Sequence, residues 1–360
     1  MAYPYNNQPF GGYGGGAPPP QQYGYGAPPP PQHHHHHQHH QQQYQHAGYG
    51  APPQQPYGGG YRGGYAAPPP QPGYVGGTGG GNFYLGVPIP APPGQQPSPP
   101  PPGFNAQLVV DNIRKATKGF GTDEKMLIQT LAPLDAMQID ATSHQFRATV
   151  GKDLISVLEK ETSGWFEGSL RAKCLGPLGY DVWLVHRACQ GAGTHEDLLN
   201  EIILCRTNSE IWLLKQAYRA TYNKDMVKVV EGELSMKTKR MFVMALEGTR
   251  MDDNAPIDHN LVEQDARDIF KAARGAGTDE IKICGIMIAR STPHLQALNQ
   301  AYQHHHRKSL ADMVNSEFSG HMKDALLYIA NTALPGPPGI SRDAHLLEES
   351  MKEWEQKMNV

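Results

Sequence analysis

The tightest constraint on this chain is a short loop sequence that returns three times, answered each time by an acid at one fixed distance. Gly119-Phe120-Gly121-Thr122, Gly191-Ala192-Gly193-Thr194 and Gly275-Ala276-Gly277-Thr278 share the form Gly-x-Gly-Thr, and Glu161, Glu233 and Glu317 each follow the second glycine by 40 residues. A spacing kept three times requires a repeated fold unit, because loop and acid must meet in the same way in every copy. Glycine turns expose backbone carbonyls, and a carboxylate folded back beside them makes an oxygen cage suited to a hard cation such as Ca²⁺. Three such pairings predict a tandem calcium module.

Gly121, Gly193 and Gly277 set periods of 72 and 84 residues. The extra length lies in the polar stretch 249–260, which contains Asp252-Asp253-Asn254 and Pro256 and reads as a linker. Amphipathic segments at 108–118, 180–190 and 261–274 precede the loops, and runs with apolar residues at helical spacing follow them, as in Leu198, Leu199, Ile202 and Ile203. Thr122, Thr194 and Thr278 stand where helix N-caps belong, with Asp123-Glu124, Glu196-Asp197 and Asp279-Glu280 suited to the first turn. The pattern predicts about five helices per repeat, no strand, and an all-α fold.

Composition divides the chain near Gly103. Residues 1–103 are dominated by Gly, Pro, Gln, Tyr and His, with Arg62 the only Asp, Glu, Lys or Arg among them. Such a stretch lacks the aliphatic side chains whose burial offsets the entropy of ordering, so it is expected to be disordered. From Phe104 the composition is that of a globular protein. The expected organisation is a tail at 1–103, repeat 1 at 104–176, repeat 2 at 177–248, a linker at 249–260, repeat 3 at 261–334, and a final segment at 335–360.

A formal net charge of −3 gives no bulk attraction to nucleic acid, and none is expected as a partner. Cys174, Cys189, Cys205 and Cys284 form no Cys-x-x-Cys pair and read as reduced thiols of a cytoplasmic protein. The start of the chain lacks a signal-peptide pattern, and no apolar run is long enough to span a bilayer. Membrane contact is therefore expected to be peripheral. No nucleophile elbow, phosphate loop or zinc-protease motif occurs, so an enzyme is not expected.

The loops, together with Glu161-Thr162-Ser163-Gly164, Glu233-Leu234-Ser235-Met236 and Glu317-Phe318-Ser319-Gly320, resemble the annexin repeat. The resemblance runs from Phe104 to about residue 335, and the Gly/Pro/Tyr tail resembles that of long-tailed annexins. It implies five-helix repeats in a curved disc with calcium loops on the convex face. It further implies calcium ligands: the carbonyls of Thr117, Gly119 and Gly121 with Glu161, those of Cys189, Gly191 and Gly193 with Glu233, and those of Ala273, Gly275 and Gly277 with Glu317. The implied function is calcium-dependent peripheral binding to anionic phospholipid. Candidate tail roles are docking of penta-EF-hand proteins or self-association. The alternative is a tail-driven scaffold or condensate protein whose core has lost membrane binding.

The chain departs from the repeat pattern at several places. His195 replaces the acid or amide after the second threonine, and Met236 replaces the glycine after the second acid, so the second site is expected to be the weakest. Arg206 and Arg290 end the second helix of their repeats, whereas repeat 1 has Leu134 after Pro133 and is expected to lack a buried polar link. Residues 342–352 read as the opening helix of a fourth repeat, but Glu353-Trp354 follow where a loop glycine is expected. A truncated fourth repeat would expose apolar surface on repeats 1 and 3 and favour self-association or lower stability. The alternative is a three-repeat protein.

Phe120 at the first loop tip is a candidate for insertion into lipid, with Lys118 and Arg274 attracting anionic headgroups. The His run at 33–40 and the Tyr-Gly-Ala-Pro-Pro themes of the tail read as low complexity, with incidental metal binding or multivalent association as the functional alternatives. His304, His305 and His306 read as a solvated helix end.

Overall fold

Capping residues set the helix boundaries in the computed structural model, which describes residues 82–92, 98–119, 121–191, 193–274, 277–334, 336 and 339–358. The expectations for residues 1–81 fall outside the described residues. Repeat 1 holds α1 (Ala106–Ala116), α2 (Glu124–Leu131), α3 (Ala136–Val150), α4 (Leu154–Glu161) and the first half of α5 (Gly164–Ala188). Gly176, at φ 65° and ψ 176° and followed by Pro177, breaks α5, and its second half opens repeat 2. That repeat continues with α6 (Glu196–Ile203), α7 (Asn208–Tyr222), α8 (Met226–Glu233) and α9 (Met236–Glu247). Repeat 3 comprises α10 (His259–Ala273), α11 (Glu280–Ala289), α12 (Thr292–His306), α13 (Leu310–Glu317) and α14 (Gly320–Ala330), and α15 (Ile340–Met358) follows. Five helical segments per repeat and an all-α array are the architecture the periodicity predicts.

The third helix of each repeat starts at a strong cap. Asp135 and Thr207 form capping boxes with Gln138 and Glu210, and Ser291 accepts from the amide of His294. The turn after it is left-handed in every copy, at Gly151, Asn223 and Arg307. Capped starts and left-handed stops fix helix length, so each acid at the end of the fourth helix returns to the same place.

Apolar faces assemble into two cores. One belongs to repeat 1 and centres on Val110, Ile113, Leu127, Ile139 and Phe146. The other runs through repeats 2 and 3, with Leu199, Tyr218, Phe242, Ile269, Leu298 and Leu326 among its members. The segment read as a linker is pinned to both of those repeats. The side chain of Asn208 exchanges two hydrogen bonds with the backbone of Arg250, the amide of Met251 donates to the carbonyl of Ala289, and Arg250 bonds Asp253 and the Thr292 hydroxyl. It acts as a seam between repeats.

Repeats 2 and 3 share a buried charge pair that repeat 1 lacks. Arg206 Nη2 lies 3.0 Å from Asp181, and Arg290 holds Asp265 through two bonds of 2.6 and 2.9 Å. Counting from the second loop glycine, 12 residues back and 13 forward, the corresponding residues of repeat 1 are Val109, in its core, and Leu134, packed against that core. The sequence pointed to the missing arginine, and the structure adds that its acid is missing too. Replacing both partners together leaves no buried charge unpaired, the change a core tolerates best.

Each acid of these pairs also takes a third partner. In repeat 3 it is His294, whose Nε2 lies 2.9 Å from Asp265 while its buried Nδ1 has no hydrogen-bond partner. Burial lowers the pKa of His294, and the neutral ring with its proton on Nε2 fits this pocket. In repeat 2 the third partner is Tyr84, 97 residues away, whose hydroxyl donates to Asp181 at 2.7 Å.

Tyr84 belongs to an element that the composition did not suggest. Strands β1 (Asn82–Tyr84) and β2 (Val87–Ile89) pair antiparallel across Leu85-Gly86, inside the stretch expected to be disordered and free of strands. Both turn residues have positive φ, the geometry of the tight hairpin turns. Tyr84 and Ile89 are buried with the core of repeats 2 and 3, and the amide of Leu85 donates to Glu210. Long-range burial and a charged acceptor overcome the weak local propensity.

One further expectation changes. His306 is not simply solvated, since its ring stacks on Phe270 at 3.7 Å, and His305 bonds Glu263 at 2.9 Å. Exposed apolar side chains do occur on repeat 1, at Leu108 and Ile128, and on α15, at Ile340, Leu347 and Met351.

Removing the Tyr84 hydroxyl takes one hydrogen bond from a buried carboxylate. Tyr84→Phe is expected to destabilise the protein by about 1.5–3 kcal/mol in a urea unfolding curve. Phe83→Ala, at an exposed neighbour, should leave the midpoint unchanged. Equal midpoints for Tyr84→Phe and the parent protein would contradict this role.

Candidate calcium loops

In all three copies the loop is closed by one backbone bond. The amides of Asp123, His195 and Asp279 donate to the carbonyls of Ala116, Ala188 and Ala272, at 2.9, 3.0 and 2.9 Å. Between these anchors Gly119, Gly121, Gly191, Gly193 and Gly277 have φ from +87° to +123°, a backbone that side-chain-bearing residues rarely adopt. Nothing stands within 4 Å of where a Cβ would point at any of the five, so the loops face open space. Phe120, Ala192, Gly275 and Ala276 fall outside the described residues.

The three threonines do not cap the following helices, as the sequence suggested. Asp123 and Asp279 are the N-caps of α2 and α11, accepting from the amides of Met126 and Lys282. The threonine hydroxyls instead reach across the repeat to the acid. Thr122 Oγ1 donates to the Glu161 carbonyl at 2.7 Å, Thr194 Oγ1 to the Glu233 carbonyl at 3.1 Å, and Thr278 Oγ1 to the Glu317 carboxylate at 2.9 Å. Each bond spans 39 residues and brings together the loop and the acid that the fixed spacing had paired. The fixed threonine–acid separation was the available signal, but a threonine before an acidic first turn also satisfies the rule for a cap.

A single exposed or half-exposed carboxylate beside glycine carbonyls is the donor set of a hard-cation site that is completed from outside. Among the described residues no group of three His, Cys, Asp or Glu side chains is placed to hold a metal. A carbonyl-based cage is the arrangement that fits these loops. Lys118 and Arg274 are both exposed at loop entrances, with the Arg274 guanidinium stacked 4.6 Å over the Phe270 ring. Cys189 is half-buried, and burial together with Glu233 pushes its thiol pKa up to about 12, which keeps it protonated.

The second loop carries two substitutions, with different local consequences. His195 occupies the N-cap of α6 without a side-chain cap bond, where Asp123 and Asp279 supply one. At the start of the fifth helix, Gly164 and Gly320 have φ of 61° and 57°, and Met236 takes the same left-handed backbone at φ 47°. The turn is thus kept despite its side chain, at a cost of about 1–2 kcal/mol.

The fold and loops together define an α-helical repeat protein with one carbonyl-and-carboxylate loop per repeat. The annexin family model matches residues 109–172, 180–245 and 264–329, one match for each repeat, and the chain belongs to the annexin family. It is 56% identical over 270 residues to annexin C1 of Cryptococcus neoformans, covering 75% of this chain and 57% of that protein. It is 36% identical over 239 residues to human annexin A7, covering 66% and 49%. The chain thus spans about half the length of these curated relatives. Among solved structures it superposes on annexin III with a TM-score of 0.61 at 33% identity, covering 65% of this chain and 73% of that one.

Met236→Gly is expected to raise stability by up to about 1 kcal/mol, because glycine adopts this backbone without strain. Thermal unfolding of the two proteins side by side measures it. A lower melting temperature for Met236→Gly would show that the Met236 side chain makes stabilising contacts.

Proposed function

We propose that this chain binds anionic phospholipid membranes peripherally and in response to calcium. The observation that carries the reading is the threonine–acid tie, which joins the end of each open glycine loop to its glutamate, through the backbone carbonyl of Glu161 and Glu233 and through the carboxylate of Glu317. Glu161, Glu233 and Glu317 supply the charged ligands, and the carbonyls of Thr117, Gly119, Gly121, Cys189, Gly191, Gly193, Ala273, Gly275 and Gly277 supply the neutral ones. One carboxylate offsets half the charge of Ca²⁺, so each loop alone should bind it weakly, toward dissociation constants of about 10⁻⁴ M. A lipid phosphate adds the missing charge and ligands. Three weak sites on one array then gain avidity, on the order of 10²–10⁴.

Several observations support a peripheral mode. No helix among the described residues is long and apolar enough to cross a membrane. Lys118 and Arg274 place positive charge at two of the three loops, where anionic headgroups would sit. The tail at 1–81 is assigned partner docking or self-association, with penta-EF-hand proteins as candidate partners. The protein acts by binding rather than by catalysis, from the cytoplasm.

Co-sedimentation of the full chain with phosphatidylserine-containing vesicles tests the reading. Binding in calcium, release by EGTA and no binding to pure phosphatidylcholine vesicles are expected. Clustering that is indifferent to calcium and lipid would contradict it and favour a scaffold driven by the tail.

A further inference from the structure

Two large apolar side chains stand in solvent on the loop face, and neither has a role in binding calcium. Trp165 is 65% exposed and Met236 is 90% exposed, the latter the highest value among the exposed large apolar residues of the described chain. Both sit at the start of the fifth helix of their repeats, four residues after Glu161 and three after Glu233 respectively. The hydroxyls of Thr122 and Thr194 tie those acids to the glycine loops, so Trp165 and Met236 stand on the same side of the array as the proposed calcium sites. Other positions at these helix starts hold different chemistry. Lys237, next to Met236, pairs with Glu280 at 2.6 Å, and His321, the counterpart of Trp165 in repeat 3, turns inward toward Asn200 and Glu196.

Met236 is also retained in a left-handed backbone where repeats 1 and 3 have glycine. A strained residue whose side chain stands out in water gains nothing for the fold. Strain of this kind is characteristic of positions held for a contact made in another state. Trp165 follows the unstrained alternative, in which Gly164 makes the turn and the next residue carries the apolar group.

We propose that Trp165 and Met236 are lipid-interface anchors that enter the headgroup–acyl boundary when the first and second calcium loops engage a membrane. Tryptophan suits that depth because its ring is apolar while its indole N–H reaches the wet headgroups. Methionine is flexible and apolar and adapts to disordered chains. Exposed Lys118 lies at the loop entrance of repeat 1, so charge and apolar surface are presented together, the combination that holds proteins at an anionic interface. Repeats 1 and 2 then dip into the bilayer boundary, whereas repeat 3 meets it by its loop and Arg274 alone. The proposal rests on the calcium-dependent membrane binding proposed above.

Tryptophan emission with and without acyl-brominated phosphatidylserine/phosphatidylcholine vesicles tests it, using the difference between the full chain and Trp165→Phe to isolate Trp165 from the other tryptophans. The expected result is a blue shift and bromine quenching of the Trp165 component in calcium, reversed by EGTA. Trp165→Ala and Met236→Gln should each raise the lipid concentration for half-maximal binding by about tenfold, the scale of burying one large apolar side chain. If the full chain sediments with vesicles in calcium while Trp165 emission stays unshifted and unquenched, the anchor proposal is wrong and the membrane reading stands. If the full chain does not sediment at all, both fail. A change in Trp165 emission that needs protein concentration but not lipid would assign the two residues to self-association instead.

Discussion

In each repeat one threonine hydroxyl ties the glycine loop to the glutamate of the candidate site. A glycine loop has wide backbone freedom, and a glutamate side chain at a helix end has many rotamers to choose from. Neither makes a cation site alone. The threonine that ends the loop donates across 39 residues to the glutamate or its carbonyl, and so converts a sequence spacing into a fixed distance. Much of the repeat serves that contact. Capped helix starts and left-handed stops set the lengths, the closing amide bond sets the loop, and the cores of the repeats hold the helices that carry both ends.

Beneath that shared device the repeats are stabilised differently. Repeats 2 and 3 each bury an aspartate–arginine pair and complete it with a third group, Tyr84 from the hairpin in one and His294 from the local helix in the other. Repeat 1 dispenses with the whole set and uses Val109 and Leu134. The ends of its helices are satisfied in another way, with the Lys173 ammonium bonding the carbonyls of Ala132 and Leu134 just beyond α2. Three copies of one fold therefore solve one buried polar problem in three ways. The hairpin ties the segment before repeat 1 to repeat 2, so ordered structure is present ahead of residue 103, from Asn82.

Some of this was legible in the sequence for a clear reason. Helical periodicity, capping residues and the glycine–acid interval are all local or strictly repeated, so they show in a single chain. The departures of the second loop are readable as well, because His195 and Met236 stand where two sibling repeats show the expected residues. Features that depend on a distant partner were not readable. Tyr84 looks like one more tyrosine of a Gly/Pro tail until Asp181 is beside it. Val109 carries no signal except as the partner Leu134 no longer needs. Local rules favour the threonines as caps, and a contact 39 residues away outweighs those rules.

The most direct test of this account is a calcium titration of vesicle binding by Thr278→Val and Thr278→Ser. Valine keeps the shape of threonine without the donor, while serine keeps the donor. Thr278→Val is expected to need several-fold more calcium for half-maximal binding, with little change in melting temperature, and Thr278→Ser to behave like the parent protein. Equal calcium midpoints for Thr278→Val and the parent would show that the loop and Glu317 find each other without the hydroxyl, and would contradict it.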